Sequence, residues 1–157
     1  MLSELFTQFD KKCVELSVYK VHTIGDCYVV MGYNGSANRD IGKECLNMLK
    51  MAQNMIEIIN AVNLLHGSEL NMRIGLHTGT VIAGIIGTNI VRYDIYGPDV
   101  LIANKMESNG KPGEINVSDK TRELLEKNYN GEYEYTFNKE VAAKAIDRVH
   151  QSYFIKP

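Results

Sequence analysis

A short β-hairpin near the start of the chain constrains its fold most strongly. Residues Val18–Thr23 alternate in polarity and are rich in β-formers, Ile24–Cys27 interrupt the pattern, and Tyr28–Met31 resume it. This spacing predicts two antiparallel strands joined at a tight Gly25-Asp26 turn. A hairpin cannot be a βαβ unit, so the sheet of this protein must contain antiparallel neighbours.

Helices are predicted on both sides of the hairpin. The apolar residues before it recur at helical spacing, at Leu2, Leu5, Phe6, Phe9 and Cys13. After it, Asp40 is a candidate N-cap for a long helix that reaches about Leu65. The apolar stripe of that helix consists of Cys45, Met48, Leu49, Ala52, Met55, Ile56, Ile59 and Val62. We interpret its methionines as core residues rather than as part of a cofactor site.

The rest of the chain alternates short strands with short helices. Pro98 suits the first turn of a helix, and Ser118 suits the N-cap of the next one. Strands are predicted at 72–77, in a glycine-punctuated run after Gly79, and at 92–96, 115–117, 133–137 and 152–155; helices are predicted at 99–107 and up to 125. Hairpin strands mixed with helices predict an α+β fold, with a mostly antiparallel sheet covered by helices on one face.

Composition limits the classes of partner. The 157 residues, 45% of them hydrophobic, suffice for one globular domain over residues 1–157. A net charge of −2 predicts no nucleic-acid partner. The three cysteines lack metal-binding spacing and favour a reducing compartment. No segment reaches the roughly 18 uncharged apolar residues of a membrane span, so we expect a cytoplasmic chain, or the cytosolic part of a larger membrane protein.

Polar residues on the predicted strands are candidates for chemistry. Asp26 lies at the tip of an apolar hairpin, where a carboxylate either binds a hard cation such as magnesium or simply suits the turn. Arg73 either holds phosphate oxygens or is an ordinary exposed arginine. Arg92 and Asp94 either form an ion pair or recognise a base. The four histidines form no metal-binding pair and are interpreted individually as structural or surface residues.

Three blocks of the sequence stand out together. They are Lys20–Tyr28 on the hairpin, Asn71–Gly79 on the next strand, and Arg92–Val100 with its continuation through Ala103–Glu107 and Gly110–Gly113. In this order they resemble the signature hairpin, the next strand and the third block of the catalytic domains of class III adenylyl and guanylyl cyclases. The blocks occur in the family's order at compatible spacing, and the resemblance runs from about residue 2 to residue 125.

The resemblance implies a ferredoxin-like core and head-to-tail dimers with active sites at the dimer interface. It implies that the 3′-hydroxyl of a nucleoside triphosphate, GTP or ATP, attacks the α-phosphorus and releases pyrophosphate. Two metal ions, Mg²⁺ or Mn²⁺, serve such a site. Asp26 matches a metal-binding aspartate and Arg73 an arginine that contacts the triphosphate, so both are expected to be catalytic. Gly25, beside Asp26, is counted with the substrate-binding residues.

Departures from the family pattern indicate a half-site. The family's first strand, which carries another metal-binding aspartate, is expected to be missing here, and Asp10 lies within the opening helix and is no substitute. Where self-pairing members carry asparagine and arginine, this chain has Leu101 and Lys105. Lys105 supplies charge without the bidentate guanidinium group. The resemblance therefore implies the metal-carrying half of a heterodimeric cyclase, active with a complementary domain and inactive alone, although self-association is also expected.

The positions that select the base map to His22 and Asp94. Asp94 resembles the adenylyl type, whereas His22 matches neither type. Sequences similar to this third block also occur in protist guanylyl cyclases, and we therefore favour cyclic GMP slightly over cyclic AMP. The alternative is a degenerate cyclase-homology domain that serves dimerisation or regulation.

Overall fold

The computed structural model describes residues 1–89 and 92–156. Its contacts group the chain into two compact units, Met1–Asn71 and Met72–Pro157, which are treated separately below. Within the described residues, no helix is both long and apolar enough to cross a bilayer.

The first unit contains two helices and one hairpin. Its elements are α1 (Leu2–Glu15), β1 (Tyr19–Ile24), β2 (Cys27–Met31) and α2 (Ile41–His66). Helix α1 buries Leu5, Phe9 and Cys13, one turn apart, and packs against α2. The expected α2 stripe is confirmed along its length, since six of its eight residues are buried and only Met48 and Ile56 are partly exposed.

The ends of α2 follow from local chemistry. The carboxylate of Asp40 accepts a hydrogen bond from the Lys43 amide at 3.1 Å, which confirms the predicted N-cap. At the other end Gly67 adopts a left-handed conformation with φ of 63°, and the Ser68 amide donates to the Asn63 carbonyl. The helix therefore begins and ends where its sequence supplies capping groups.

The second unit holds a four-stranded sheet, a separate two-stranded ribbon and two helices that pack against the sheet. Its elements are β3 (Ile74–Leu76), β4 (Ile82–Ile86), β5 (Arg92–Tyr96), α3 (Pro98–Ser108), β6 (Ile115–Ser118), α4 (Asp119–Asn128), β7 (Glu134–Ala143), a 3₁₀ turn (Lys144–Ile146) and β8 (Arg148–Lys156). The sheet order is β3-β6-β8-β7, and β4 pairs with β5. Among the pairings of the described strands only β3–β6 is parallel, so the predicted α+β class and mostly antiparallel pairing are confirmed.

Helix α3 packs closely on the sheet of this unit. Ile102 and Met106 of α3 are fully buried against Val141 and Ala143 of β7. On the other side, a Cβ at Gly75 of β3 would overlap the backbone of Met106 and Glu107. Glycine at this position therefore sets how near α3 lies to β3, and with it the positions of the side chains at the end of α3.

Candidate functional site

The hairpin tip presents Asp26 as an exposed carboxylate. Strands β1 and β2 pair up to Ile24 and Cys27, which leaves Gly25 and Asp26 as a two-residue loop. Gly25 has φ of 58° whereas Asp26 does not have a positive φ, the pattern of a type II′ turn with glycine first. Asp26 is exposed. Among the residues that the structure describes, none forms a hydrogen bond or ion pair with its side chain.

The second half of β1 carries His22, the first base-position candidate. A bulge lies between Lys20 and His22, and His22 then pairs with Val29 of β2. Bulges increase local twist and redirect the side chains that follow. His22 is half-buried on this twisted strand.

Arg73 precedes β3 rather than lying within it. The strand begins at Ile74, and the Met72 carbonyl accepts a hydrogen bond from the Gly113 amide at 2.9 Å. The Nε of Arg73 lies 3.0 Å from Oε1 of Glu107 on α3. Both side chains are exposed, at 47% and 41%. An exposed pair of this kind contributes at most about 1 kcal/mol, so Arg73 can exchange Glu107 for a phosphate at small cost.

Asp94 is engaged within its own strand. Its Oδ2 lies 3.1 Å from a guanidinium nitrogen of Arg92, and its Oδ1 accepts from the Ile95 amide at 2.8 Å. The Asp94 side chain is 14% exposed. The simpler of the two sequence interpretations, an ion pair, is therefore confirmed for Arg92 and Asp94.

Helix α3 carries the two departures from the family pattern. Leu101 is half-buried and packs against the core formed by Ile102, Met106 and the β7 side chains. Lys105 lies one turn further along the helix and is half-buried as well. Leu101 thus serves packing and supplies no hydrogen-bonding group, whereas Lys105 supplies one positive charge.

A buried histidine network, which the sequence did not reveal, joins four elements of the second unit. The His77 side chain is 1% exposed. Its Nε2 lies 2.8 Å from Oδ1 of Asp99 at the start of α3, and its Nδ1 lies 2.7 Å from the Ser118 hydroxyl at the end of β6. Arg148 of β8 donates to the same Asp99 oxygen at 2.6 Å. The Asp99 carboxylate also receives the Thr80 amide at 2.9 Å.

Burial and charge set the protonation of this network. Burial lowers the pKa of His77, although its bond to Asp99 acts in the opposite direction. For Asp99, burial alone would raise the pKa, but the bonds from His77, Thr80 and Arg148 lower it. Histidine is therefore neutral and the aspartate ionised, so His77 donates through Nε2–H and accepts from Ser118.

A second histidine–carboxylate pair adjoins the first. The rings of His77 and His150 lie edge to face with centroids 5.1 Å apart. His150 Nδ1 lies 2.7 Å from Asp119 Oδ1, at the first residue of α4. Both histidines are structural, as their sequence context predicted. His150 borders an open cleft of about 540 Å³ whose lining includes Lys120 and Arg148.

Among the described residues, Asp26 is the candidate ligand for a metal ion. No group of three or more histidine, cysteine, aspartate or glutamate side chains within residues 1–89 and 92–156 is arranged to hold an ion. Asp26, exposed on a two-residue turn, fits a single oxygen ligand. Magnesium is often bound through one or two carboxylates, with substrate phosphates and water completing its coordination. The donor chemistry of Asp26 therefore fits a site that is completed by other groups.

Comparison with known proteins identifies the family. The family described as "Adenylate and Guanylate cyclase catalytic domain" matches residues 1–157, well beyond residue 125. A guanylate cyclase of Toxoplasma gondii is 42% identical over 162 aligned residues, which cover 100% of this chain and 4% of that protein. The guanylate cyclase soluble subunit alpha-1 of Rattus norvegicus is 46% identical over 125 residues, which cover 80% of this chain and 18% of that protein.

Solved structures agree with this assignment. The guanylate cyclase domain of RhGC from Catenaria anguillulae, in complex with GTP, superposes with a TM-score of 0.83. It is 29% identical, and the match covers 99% of this chain and 81% of that one. The chain spans only a small part of the length of the two relatives above. By motif, profile and fold, the chain belongs to the family of adenylate and guanylate cyclase catalytic domains.

Proposed function

We propose that this chain is the metal-carrying half of a nucleotidyl cyclase, and that it forms a 3′,5′-cyclic nucleotide together with a complementary domain. The observation that carries the proposal is the exposed Asp26 carboxylate on the Gly25-Asp26 turn of a family member. A carboxylate held on a tight turn between paired strands is oriented before any ligand arrives. Such preorganisation is what an electrostatic site requires.

In the proposed reaction the 3′-hydroxyl oxygen of a nucleoside triphosphate bonds to its own α-phosphorus. The bond from that phosphorus to the bridging oxygen of pyrophosphate breaks, and the hydroxyl proton leaves to solvent. The complete site would hold two divalent metal ions, either Mg²⁺ or Mn²⁺. They would neutralise phosphate charge and make the hydroxyl more acidic. Asp26 would supply a metal ligand, and Gly25 permits the turn that presents it.

Arg73 is the proposed triphosphate contact. Its guanidinium is exposed and forms an exposed ion pair with Glu107. Arginine binds phosphate oxygens through planar, paired N–H groups. We propose that phosphate replaces Glu107 as its partner when substrate binds.

Two residues of helix α3 support the proposal that a partner is needed. Leu101 packs into the core and cannot orient a ribose by hydrogen bonding. Lys105 provides a positive charge without two parallel donors. We propose that a complementary domain supplies the asparagine, the transition-state arginine and the base pocket. The rat relative is named a subunit, which supports an assembly of different chains.

Cyclic GMP is the proposed product. Both relatives are named guanylate cyclase, and the RhGC domain was solved with GTP. Asp94 does not oppose this proposal, because its carboxylate is bound to Arg92 and the Ile95 amide within β5. His22 and Asp94 remain substrate-binding candidates, but in a metal-carrying half the complementary domain, rather than these two residues, reads the base.

The second candidate is a degenerate cyclase-homology domain that acts in dimerisation or regulation. Leu101 favours this candidate, because its packed apolar side chain cannot form a hydrogen bond with the ribose of a substrate. The two candidates differ in a single respect that can be measured, namely whether Asp26 is needed for product formation.

The test is cyclic nucleotide formation by the whole protein that contains this chain, assembled with its complementary domain. Asp26→Ala is expected to lower the rate with GTP by at least about 100-fold, because a metal ligand of the reaction is lost. Glu69→Ala, which removes another exposed carboxylate of the first unit, is the matched control and is expected to leave the rate unchanged. Equal rates for the two variants would favour the degenerate domain.

A further inference from the structure

One carboxylate oxygen on α1 binds both strands of the hairpin. The Tyr28 hydroxyl of β2 donates to Oδ1 of Asp10 at 2.6 Å. The ammonium group of Lys20 on β1 lies 2.9 Å from the same oxygen. Each strand of the hairpin therefore has its own bond to a single atom of the helix beneath it.

The aromatic contacts of Tyr28 fix where its hydroxyl lies. The ring lies 5.2 Å from the ring of Phe6 and 5.3 Å from that of Phe9, and Phe9 is fully buried. The Lys20 ammonium lies over the Tyr28 ring, 5.3 Å from its centroid. Ring pairs in tilted or edge-to-face geometry add about 0.5–1.5 kcal/mol beyond their buried area. The side chain is thus held by packing as well as by its hydrogen bond.

The charge of Asp10 strengthens its bonds to the hairpin. The Tyr28 hydroxyl is the donor in its bond to Asp10. Burial would raise the pKa of Asp10, but the bonds from Tyr28 and Lys20 lower it, so the carboxylate stays ionised. A charged acceptor makes each of these bonds stronger than a neutral one.

Tyr28 stands two residues from Asp26 along β2. A strand advances about 3.3 Å per residue, so Tyr28 lies within about 7 Å of Asp26 along the strand. The connection between them is short and paired, since Thr23 pairs with Tyr28 and Ile24 with Cys27. A displacement of Tyr28 therefore also moves the turn that carries the Asp26 carboxylate.

We propose that Asp10 is a positioning residue, which binds Lys20 and Tyr28 and thereby fixes the direction in which Asp26 presents its carboxylate. The proposal assigns Asp10 no metal ion of its own; its Oδ1 is shared by the two donors from the hairpin. The proposal rests on the proposed function only where it concerns metal binding. Its first consequence, a rigid hairpin tip, holds whether or not the chain takes part in catalysis.

The test of rigidity is backbone amide relaxation of the 157-residue chain, measured by nuclear magnetic resonance. A rigid backbone has an order parameter of about 0.85 and a flexible one below about 0.6. Asp10→Ala is expected to lower the values at Gly25 and Asp26 toward about 0.6. Asp10→Asn, which still accepts from Tyr28, is expected to give a smaller loss. Unchanged values at the tip in Asp10→Ala would overturn the proposal.

A matched control lies on the same helix. Glu15→Gln also removes a carboxylate that pairs with a lysine, since Glu15 lies 2.7 Å from Lys12, but this pair does not touch the hairpin. It is expected to leave the order parameters of Gly25 and Asp26 unchanged. If Asp10→Ala does not fold, Tyr28→Phe removes only the hydroxyl and retains the ring packing, and the same loss of order is expected.

Metal binding is tested separately with MnCl₂ as the probe, through paramagnetic broadening of the tip amide signals. Groups that orient a metal ligand typically contribute 10- to 100-fold to metal affinity, so Asp10→Ala is expected to weaken Mn²⁺ binding about tenfold. If Asp26→Ala abolishes the broadening and Asp10→Ala leaves it unchanged, positioning is wrong while the metal role of Asp26 stands. If Asp26→Ala leaves the broadening intact, the metal role of Asp26 fails, and with it the metal part of this inference.

Discussion

At the scale of single residues, His77 is the clearest example of a side chain whose role depends on tertiary structure. Its partners Asp99 and Ser118 lie 22 and 41 residues away along the chain, and Arg148, which binds Asp99, lies 49 residues beyond that aspartate. No periodic pattern links such positions, so the sequence could identify His77 only as structural. In contrast, Asp40 lies three residues from its hydrogen-bond partner, and its capping role was predictable because capping is local.

The same network predicts how stability depends on pH. Burial lowers the pKa of His77 in the folded protein, whereas a histidine in the unfolded chain titrates near pH 6.5. Below that pH the unfolded chain binds more protons than the folded one, so stability falls as the solution is acidified. We expect the free energy of unfolding, measured in urea, to decrease from pH 7.5 to pH 5.5. Carboxylates with lowered pKa, such as Asp99, lose their contribution only at lower pH, as the solution passes below about 4.

His77→Asn is expected to have two effects in that experiment. It lowers stability at pH 7.5 by about 1–3 kcal/mol, because the buried Asp99 and Ser118 groups lose a partner. It also flattens the dependence on pH between 7.5 and 5.5, since the group that titrates has been removed. A variant with the wild-type slope would show that His77 does not carry it.

At the scale of elements, the contact between β3 and α3 decides where Arg73 and Glu107 meet. Gly75→Ala would place a methyl group against the backbone of Met106 and Glu107, which cannot move aside as a flexible side chain does. We expect a loss of about 2–4 kcal/mol in the free energy of unfolding. Gly84→Ala is the matched control, because a Cβ there has no heavy atom within 4 Å, and it is expected to change stability by less than about 1 kcal/mol. Equal losses would contradict the close approach.

Most of the element order was predictable, because the hairpin, the helices and their caps depend on local pattern. The lengths of β7 and β8 were not. The sequence indicated strands only at 133–137 and 152–155, whereas β7 extends to Ala143 and β8 begins at Arg148. The added segments carry charged residues at Lys139, Glu140 and Arg148. Here cross-strand hydrogen bonding, rather than an alternating apolar pattern, sustains the strands.

At the scale of the whole molecule, the β4–β5 ribbon exposes apolar surface. Ile82 and Ile85 of β4 are 70% and 71% exposed. Exposed apolar strands favour association with another chain. We expect sedimentation velocity to show self-association that increases with concentration, and Ile82→Lys with Ile85→Lys to reduce it. Val14→Lys, at a residue 82% exposed on α1, is the control and should not. A wild-type chain that stays monomeric over a wide concentration range would contradict this expectation.

The candidate site was predictable in part. The alternating pattern placed Asp26 on a hairpin tip, the resemblance gave it a metal-binding role, and the structure shows it exposed at the tip. The sequence alone could not show that Glu107 pairs with Arg73 or that Asp10 binds both hairpin strands. Each of these depends on side chains from different elements or on the geometry of a turn.

The most direct test of the central claim compares the chain alone with the assembled enzyme. Cyclic nucleotide formation is measured for the purified chain from GTP and from ATP, with Mg²⁺ and with Mn²⁺, and in parallel for the whole protein with its complementary domain. We predict no product from the chain alone under all of these conditions, and cyclic GMP from the assembly. Product from the chain alone that disappears with Asp26→Ala would contradict the account, because it would mean that the chain builds a complete site by pairing with itself despite Leu101 and Lys105.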